Sequence, residues 1–442
     1  MKVLIVGGGI GGLTLALMLH ARGIRPRIVE AAVEVKPLGV GINVQPSAVA
    51  ELAMLDLLDR LDATGVRTAE VGYYNKFGQH IWTEPRGVDA GYAVPQFSIH
   101  RGRLQMLLFD AVRERLGEAA VAAGVEAVSV EPDAGRVVLR DRRDGGTRIE
   151  QADAIVAADG IHSAVRRQFY PDEGLPRYSG RILWRATSYD RPWLTGRTMV
   201  MVGHADQKLV AYPITMPDAE GRSLLNWIAE LRVPGDTPPK DDWNREVPKS
   251  VFAPAFAEWK FPWLDVPKLF DGAERVFEFP MVDRDPLPRW SFGRVTLLGD
   301  AAHPMYPIGS NGASQAILDA RVLADELEKA AADLAAGAAG GAAAGEAQGQ
   351  APAAPIERAL KAYEADRLPK TARIVLANRG HGPDHVMQIV EERAPNGFRH
   401  VHDVASHDEL VAIAAQYKAI VGLEIETVNA RMKAWQQARE RG

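Results

Sequence analysis

The chain has 442 residues, a net charge of −5 and no cysteine, a length that allows two or three cores of roughly 150 residues each. The charge excludes the basic footprint of a nucleic-acid binder, and the missing cysteines exclude disulfides, thiolate metal sites and cysteine nucleophiles. No stretch approaches the ~18 consecutive apolar residues of a membrane helix, and a first strand predicted from Lys2 leaves no room for a signal peptide, so the expectation is a cytoplasmic globular enzyme without membrane contact.

Lys2 to Val6 is a short apolar run that reads as a buried parallel strand. It leads into Gly7-Gly8-Gly9-Ile10-Gly11-Gly12, a predicted helix over 13–22 ended by Gly23, and a second strand over 27–29 that closes on Glu30. Gly7 would permit the tight turn, Gly9 the approach of a pyrophosphate, and Gly12 the close packing of helix on strand. The helix start, with Ile10 and Gly11, offers unpaired N–H groups to phosphate. Glu30 lies 18 residues beyond Gly12, near the ~20 expected of an acid that binds ribose hydroxyls. A 2′-phosphate would be repelled there, but FAD and NAD stay undecided on this motif alone.

Ala154 to Ala158 is another apolar strand and ends in Asp159-Gly160-Ile161-His162-Ser163-Ala164-Val165-Arg166. Strands predicted over 181–189, 199–203, 208–214 and 224–228 form a mixed sheet. Such a sheet would roof a ligand, with Trp184, Arg185, Tyr212 and Trp227 as pocket candidates or, equally, as sheet core. A third strand, 294–298, runs into Gly299-Asp300-Ala301-Ala302-His303-Pro304. The turn from Ile308 through Gly309, Gly312 and Ala313 then opens a helix over 314–327. Asp300 suits a polyol chain, and the turn offers N–H groups to an electron-rich ring edge. Three such motifs fit a dinucleotide with a ribityl tail and a large ring, whereas NAD does not need the third.

Residues 332–355 form an Ala/Gly tract expected to be a surface insertion. A helix is predicted over 356–368, ended or kinked by Pro369 before 371–378 continues, and helical character over 407–432 forms a C-terminal cap. His400, His402 and His407 match no zinc pattern, and no metal is expected. His303 reads as a packing residue rather than a general base.

The glycine run, Asp159-Gly160 and Gly299-Asp300 together resemble the class A flavoprotein aromatic hydroxylases, the family of para-hydroxybenzoate and salicylate hydroxylases. Residues 37–46, 98–102, 280–288 and 305–318 extend the likeness toward phenazine-carboxylate monooxygenases, and it covers about residues 1–380. The resemblance implies an α/β fold: a Rossmann-like FAD-binding domain (1–72, 97–171 and 275–330) interleaved with a mixed-sheet substrate domain (73–96 and 172–274). An insertion (331–355) and a C-terminal helical region (356–442) complete that division. It also implies that Glu30 holds the adenosine ribose, Arg101 the ribityl–pyrophosphate stretch and Asp300 the ribityl side. Val125 would lie near the adenine, Gly41 beside the flavin ring, and Gly309 to Ala313 at its pyrimidine edge. Asp159 would serve both FAD and the approach of NAD(P)H, and Pro304 would lie against the ring face where oxygen reacts.

In that family NADH or NADPH reduces the flavin, O2 adds to form a flavin hydroperoxide, and an OH passes to a small aromatic substrate. The cofactor carries the chemistry and the protein excludes water. Two rival expectations are an FAD-dependent oxidase or dehydrogenase on the same fold, and a flavin-binding protein without turnover. A halogenase would need a W-x-W-x-I-P run, which Trp259-Lys260-Phe261-Pro262-Trp263 does not supply. The sequence leaves the choice of nicotinamide nucleotide, the substrate and the oligomeric state open.

Overall fold

A buried apolar strand must pair its backbone groups, and the strands that precede the three motifs pair with one another. In the computed structural model, which describes residues 1–235, 245–340, 350, 352–380 and 382–441, Val3–Val6 lies parallel between Ala154–Ala157 and Pro26–Glu30. Val295–Leu297 joins outside Ala154–Ala157, and Val121–Ala123 outside Pro26–Glu30, both parallel. Ser291–Phe292 closes one edge antiparallel. Val3–Val6 and Ala154–Ala157 are buried throughout, as strands covered on both faces must be. Val6 lies opposite Val29 and Ala157, and Ala157 opposite Leu297. All three motif turns therefore leave the sheet at the same, carboxyl end.

The second sheet has eight strands: Arg245–Glu246, Phe277–Asp283, Arg177–Asp190, Ser223–Arg232, Gln207–Pro213, Thr198–His204, Glu70–Tyr74 and His80–Pro85, in that spatial order. All pairs are antiparallel except Thr198–His204 with Glu70–Tyr74. Two expected boundaries shift with it. Phe277–Asp283 lies beyond residue 274 yet pairs along Arg177–Asp190, and Glu70–Tyr74 straddles residue 72. A small three-stranded sheet, Gly41–Val44, Gln96–His100 and Val66–Thr68, sets Gly41 beside His100, immediately before Arg101.

The helices differ from expectation in three places. The helix predicted over 314–327 runs as Gly312–Gly340, because alanine continues a helix readily; the tract over 341–349 lies outside the described residues. Pro369 does not end its helix, Ala353–Arg379. The N–H that proline lacks would have served the Ala365 carbonyl alone, and the Thr371 hydroxyl adds a bond to the Arg367 carbonyl at 3.1 Å one turn on. The C-terminal span is two helices, His407–Val421 and Ile425–Arg441, separated where Gly422 takes φ +73°, a left-handed cap that glycine adopts without strain. Among the described residues no helix is long and apolar enough to cross a membrane.

Candidate functional site

At the carboxyl end of the parallel sheet the chain turns sharply at Gly7, with φ +109°, and a Cβ there would collide with the Ala158 carbonyl. A Cβ on Gly12 would strike the Gly7 carbonyl oxygen, so helix Ile10–Ala21 can rest on its strand only with glycine at that position. Gly9 caps this helix without a side-chain bond, and a Cβ added to it would meet nothing within 4 Å. The first-turn N–H groups therefore face open space, the arrangement that receives an anion. Glu30 is fixed by backbone: Oε2 accepts from Gly8 N and Oε1 from Ala32 N, each at 2.7 Å. Each oxygen keeps lone-pair capacity for a further donor. Gly7, Gly9, Glu30, Arg101, Val125 and Asp159 line one cavity. Asp159 Oδ2 accepts from Ala164 N at 2.9 Å, while its Oδ1 is buried without a partner among the described residues. Burial pushes the pKa of Asp159 up.

A second cavity continues from the first, sharing Gly9, Arg101, Ala158 and Gly160. Its further walls include Ile10, Gly11, Gly41, Asp300, Gly312 and Ala313. Arg101 thus stands where the two meet, at the N-terminus of helix Arg101–Leu116. Asp300 opens onto this cleft, and the surrounding protein raises its pKa by desolvation. A dinucleotide with a large ring fits the joined cavities: an anion-receiving helix end lies in one, and the lining side chains Asp159 and Asn311 each carry a buried oxygen, Oδ1, without a partner among the described residues.

The eight-stranded sheet meets this cleft with one face only, and strand alternation decides which residues arrive. Arg185 and Tyr212 line the cleft. Their neighbours do not. Trp184 points the other way, donating from Nε1 to Glu278 Oε2 at 3.0 Å and stacking on Phe252 at 5.2 Å. Trp227, opposite Ala186 and Ala211, donates to Ser188 Oγ at 2.9 Å and packs on Phe270 at 4.5 Å. Both tryptophans belong to an aromatic core on the far face, covered by residues 247–271. Pro304 is buried, and the cleft wall is formed instead by Met305 and Pro307, because the chain turns after Ala302.

The side chain that opposes Tyr212 is Asn226, whose Oδ1 accepts from Gly41 N at 2.7 Å. Arg185 donates to the Gly41 carbonyl at 3.2 Å, and its Nε is buried without a partner among the described residues. Burial lowers its pKa, with Tyr212 and Arg101 nearby. Among the described residues no carboxylate forms an ion pair with it, so it offers a positive charge to whatever fills the cleft. Behind Tyr212 lies a third chamber that sequence reasoning missed, walled by Leu183, Met199, Met201, Val210, Ile228 and Met281, and by Gly309. Its buried Lys208 is held between Asp384 (2.6 Å) and Glu230 (3.0 Å). Met199 with Met201, and Lys208 with Val210 and Tyr212, alternate along predicted strands, which was the available signal.

Two buried arginines tie the motifs together. Arg166 donates to the carbonyls of Ala301 (3.0 Å) and Ala302 (2.9 Å) and pairs with Glu173, linking the Asp159 motif to the Asp300 motif. Arg367 donates from Nε to Asp319 Oδ1 at 2.7 Å. Asp319 Oδ2 also receives Gly299 N at 3.1 Å and meets His303 Nε2 at 2.5 Å. Burial alone would raise the pKa of Asp319, but His303 and Arg367 outweigh it and hold it low. His303 is thereby buried between the Asp300 turn and helix Gly312–Gly340. His400, His402 and His407 are exposed, and the described residues hold no cluster suited to a metal.

A strand-end cradle joined to a cleft under a large mixed sheet defines a flavoprotein, and the family profile of an FAD binding domain matches residues 1–340. The chain belongs to the FAD-dependent aromatic hydroxylases, and FAD is its cofactor. It is 43% identical over 429 residues to phenazine 1,6-dicarboxylic acid hydroxylase PhzS of Lysobacter antibioticus, spanning 95% of this chain and 97% of that protein. It is 32% identical over 401 residues to the 3-amino-4-hydroxybenzoate 2-monooxygenase of Streptomyces cremeus, spanning 87% and 88%. A salicylate hydroxylase substrate complex shares the fold at a TM-score of 0.69 and 20% identity, covering 98% of each chain.

Proposed function

We propose that the protein hydroxylates a planar aromatic acid, a phenazine carboxylate or a smaller heteroaromatic or phenolic acid, using O2 and electrons from NADH or NADPH in the cytoplasm. The observation that carries this reading is the junction of the flavin cleft with the chamber behind it. Tyr212, Ile228, Pro307 and Ser310 line both, so an arene seated among the methionines would adjoin the cleft that holds the cofactor. The methionine and aliphatic walls suit a flat apolar body, and Arg185 suits its carboxylate. The 43% identity to a phenazine dicarboxylate hydroxylase supports an acid of that shape.

Bound FAD supplies the redox chemistry, taking up reducing equivalents and activating O2 for transfer to the arene. The chain's own residues would divide the remaining work. Glu30 would hold the adenosine ribose hydroxyls, Val125 would wall the adenine side, and the Gly7–Gly12 turn would receive the pyrophosphate. Arg101 would neutralise the phosphates at the junction, and Asp300 would accept hydrogen bonds from the ribityl chain. Gly41, Gly312 and Ala313 would let the backbone approach the ring, and Asp159 would serve the side from which the nicotinamide arrives. The two-sheet enclosure would keep water from the reacting centre. No acid–base pair is required of the protein.

The test is NAD(P)H consumption by the purified holoprotein against a panel of phenazine carboxylates, salicylates and hydroxynicotinates, under 18O2. Stimulated consumption with one 18O in the product is expected. Oxidation of a substrate with peroxide formed and no label incorporated would replace this reading with an oxidase. The absence of any stimulated turnover would leave a flavin-binding protein.

A further inference from the structure

The turn that follows Asp300 is held from behind by the C-terminal helices, outside the residues 1–340 that match the family profile. Tyr417, on helix His407–Val421, is 8% exposed. Its hydroxyl lies in a hydrogen-bond chain whose direction can be followed from one end. The Tyr306 carbonyl can only accept, so the Asn378 group 3.1 Å from it is Nδ2, and Asn378 Oδ1 faces Tyr417. The Tyr417 hydroxyl donates to that oxygen at 2.8 Å, with the Ile308 carbonyl a longer alternative acceptor at 3.3 Å; either way its proton points away from Asn311, and burial pushes its pKa up, so the proton stays on. With its proton committed, the hydroxyl accepts from Asn311 Nδ2 at 2.7 Å. Asn311 Oδ1 is therefore left over. It is buried and has no partner among the described residues, on a side chain that lines the flavin cleft. A buried amide oxygen without a donor is costly, and its position beside a ligand cleft calls for a donor on the ligand.

We infer that Tyr417 is a positioning residue for the cofactor: through Asn311 it presents an amide oxygen to the single N–H donor of the oxidised flavin ring. This rests on the reading that the turn from Ile308 to Ala313 faces the ring. Tyr417 also braces that turn sterically, since a Cβ on Gly309 would strike its hydroxyl. A residue more than 100 positions beyond the Asp300 motif thus selects which end of the Asn311 amide meets FAD.

Tyr417→Phe keeps the ring and deletes only the hydroxyl. In full-length protein stripped of FAD and titrated with it, the dissociation constant is expected to rise about three- to tenfold, with a shift of the visible flavin bands. Asn311→Ala should lose as much. In that background Tyr417→Phe should add nothing further, because the tyrosine acts through the amide. If Asn311→Ala weakens FAD while Tyr417→Phe binds it normally with unshifted bands, the inference alone is overturned. If Asn311→Ala also leaves affinity and bands untouched, the turn does not face the ring, and the reading beneath the inference fails with it. A lowered melting temperature of Tyr417→Phe with normal affinity and bands would mark a packing residue and would overturn it too.

Discussion

The six-stranded and eight-stranded sheets offer their ligand surfaces in opposite ways. The first offers strand ends: Gly7 to Gly12, Asp159-Gly160 and Gly299-Asp300 each follow a strand and stand together because three strands run parallel. The second offers a face: Leu183, Arg185, Met199, Met201, Val210, Tyr212 and Ile228 come from every second position of four strands. An end-built site consists of contiguous residues and tolerates little change in backbone. A face-built site consists of scattered side chains, and every residue between them belongs to a different core. Substitutions in the two regions should therefore fail in different currencies, cofactor occupancy in one and stability or substrate choice in the other.

The sharpest break of that contrast is Trp227→Ala. The indole is fully buried with Phe252 and Phe270, so its removal should cost about 3–5 kcal/mol of stability, read by urea unfolding, with FAD affinity nearly unchanged. If stability held and substrate affinity fell instead, the two faces would be assigned the wrong way round. Next in size is Gly12→Ala. The added methyl must push helix Ile10–Ala21 off its strand, at a cost of about 1–3 kcal/mol, and the protein should purify largely without FAD. Full flavin occupancy in that variant would show that the helix end is not where the pyrophosphate sits.

The same difference explains what could be read before the fold was known. The strand–glycine–helix–strand–acid order singles out Glu30 as a candidate because each element is local, Asp159 and Asp300 follow from the same logic, and all three line the joined cavities. Trp184 and Arg185 are adjacent, and period-two alternation sends one to each face. Both faces of this sheet are covered, one by the aromatic core and one by the cleft, so hydrophobicity does not choose between them. For that reason the sequence leaves Trp184 and Trp227 open between pocket and core, and both lie in the core. Pro304 is buried behind Met305 and Pro307 of the cleft wall, because the path of a turn is set by tertiary bonds, here Arg166 holding the Ala301 and Ala302 carbonyls. The Tyr417–Asn311 link joins segments 106 residues apart, and nothing local in either segment announces it.

Glu30→Gln sharpens the contrast at intermediate size. The amide keeps one acceptor for Gly8 N or Ala32 N but has lost the charge that would strengthen bonds to ribose hydroxyls. FAD affinity should fall about tenfold, and the apo-protein should lose about 1 kcal/mol for the one backbone N–H left without an acceptor. Unchanged FAD affinity beside that loss of stability would mean that Glu30 serves the turn rather than the ribose.

Asp300→Asn should have the smallest effect, and an effect of opposite sign in the two ligation states. Enclosure by the cleft raises the folded-state pKa of Asp300 above its unfolded value, so the folded apo-protein binds the proton more readily than the unfolded chain. The stability this contributes is fully present below the unfolded value, about 3.9, and is lost as pH rises through the folded value. An amide carries no such dependence. The apo-protein of Asp300→Asn should therefore gain on wild type as pH climbs above about 4, and keep that advantage at neutral pH. Loading with FAD should reverse the order, because the carboxylate then gains hydroxyl donors that compensate its desolvation while the amide gains weaker ones. Melting temperatures of both proteins, with and without FAD across pH, decide the matter. A variant less stable than wild type even without FAD would make Asp300 a cap of its own turn, and the end-built site would lose its ribityl acid.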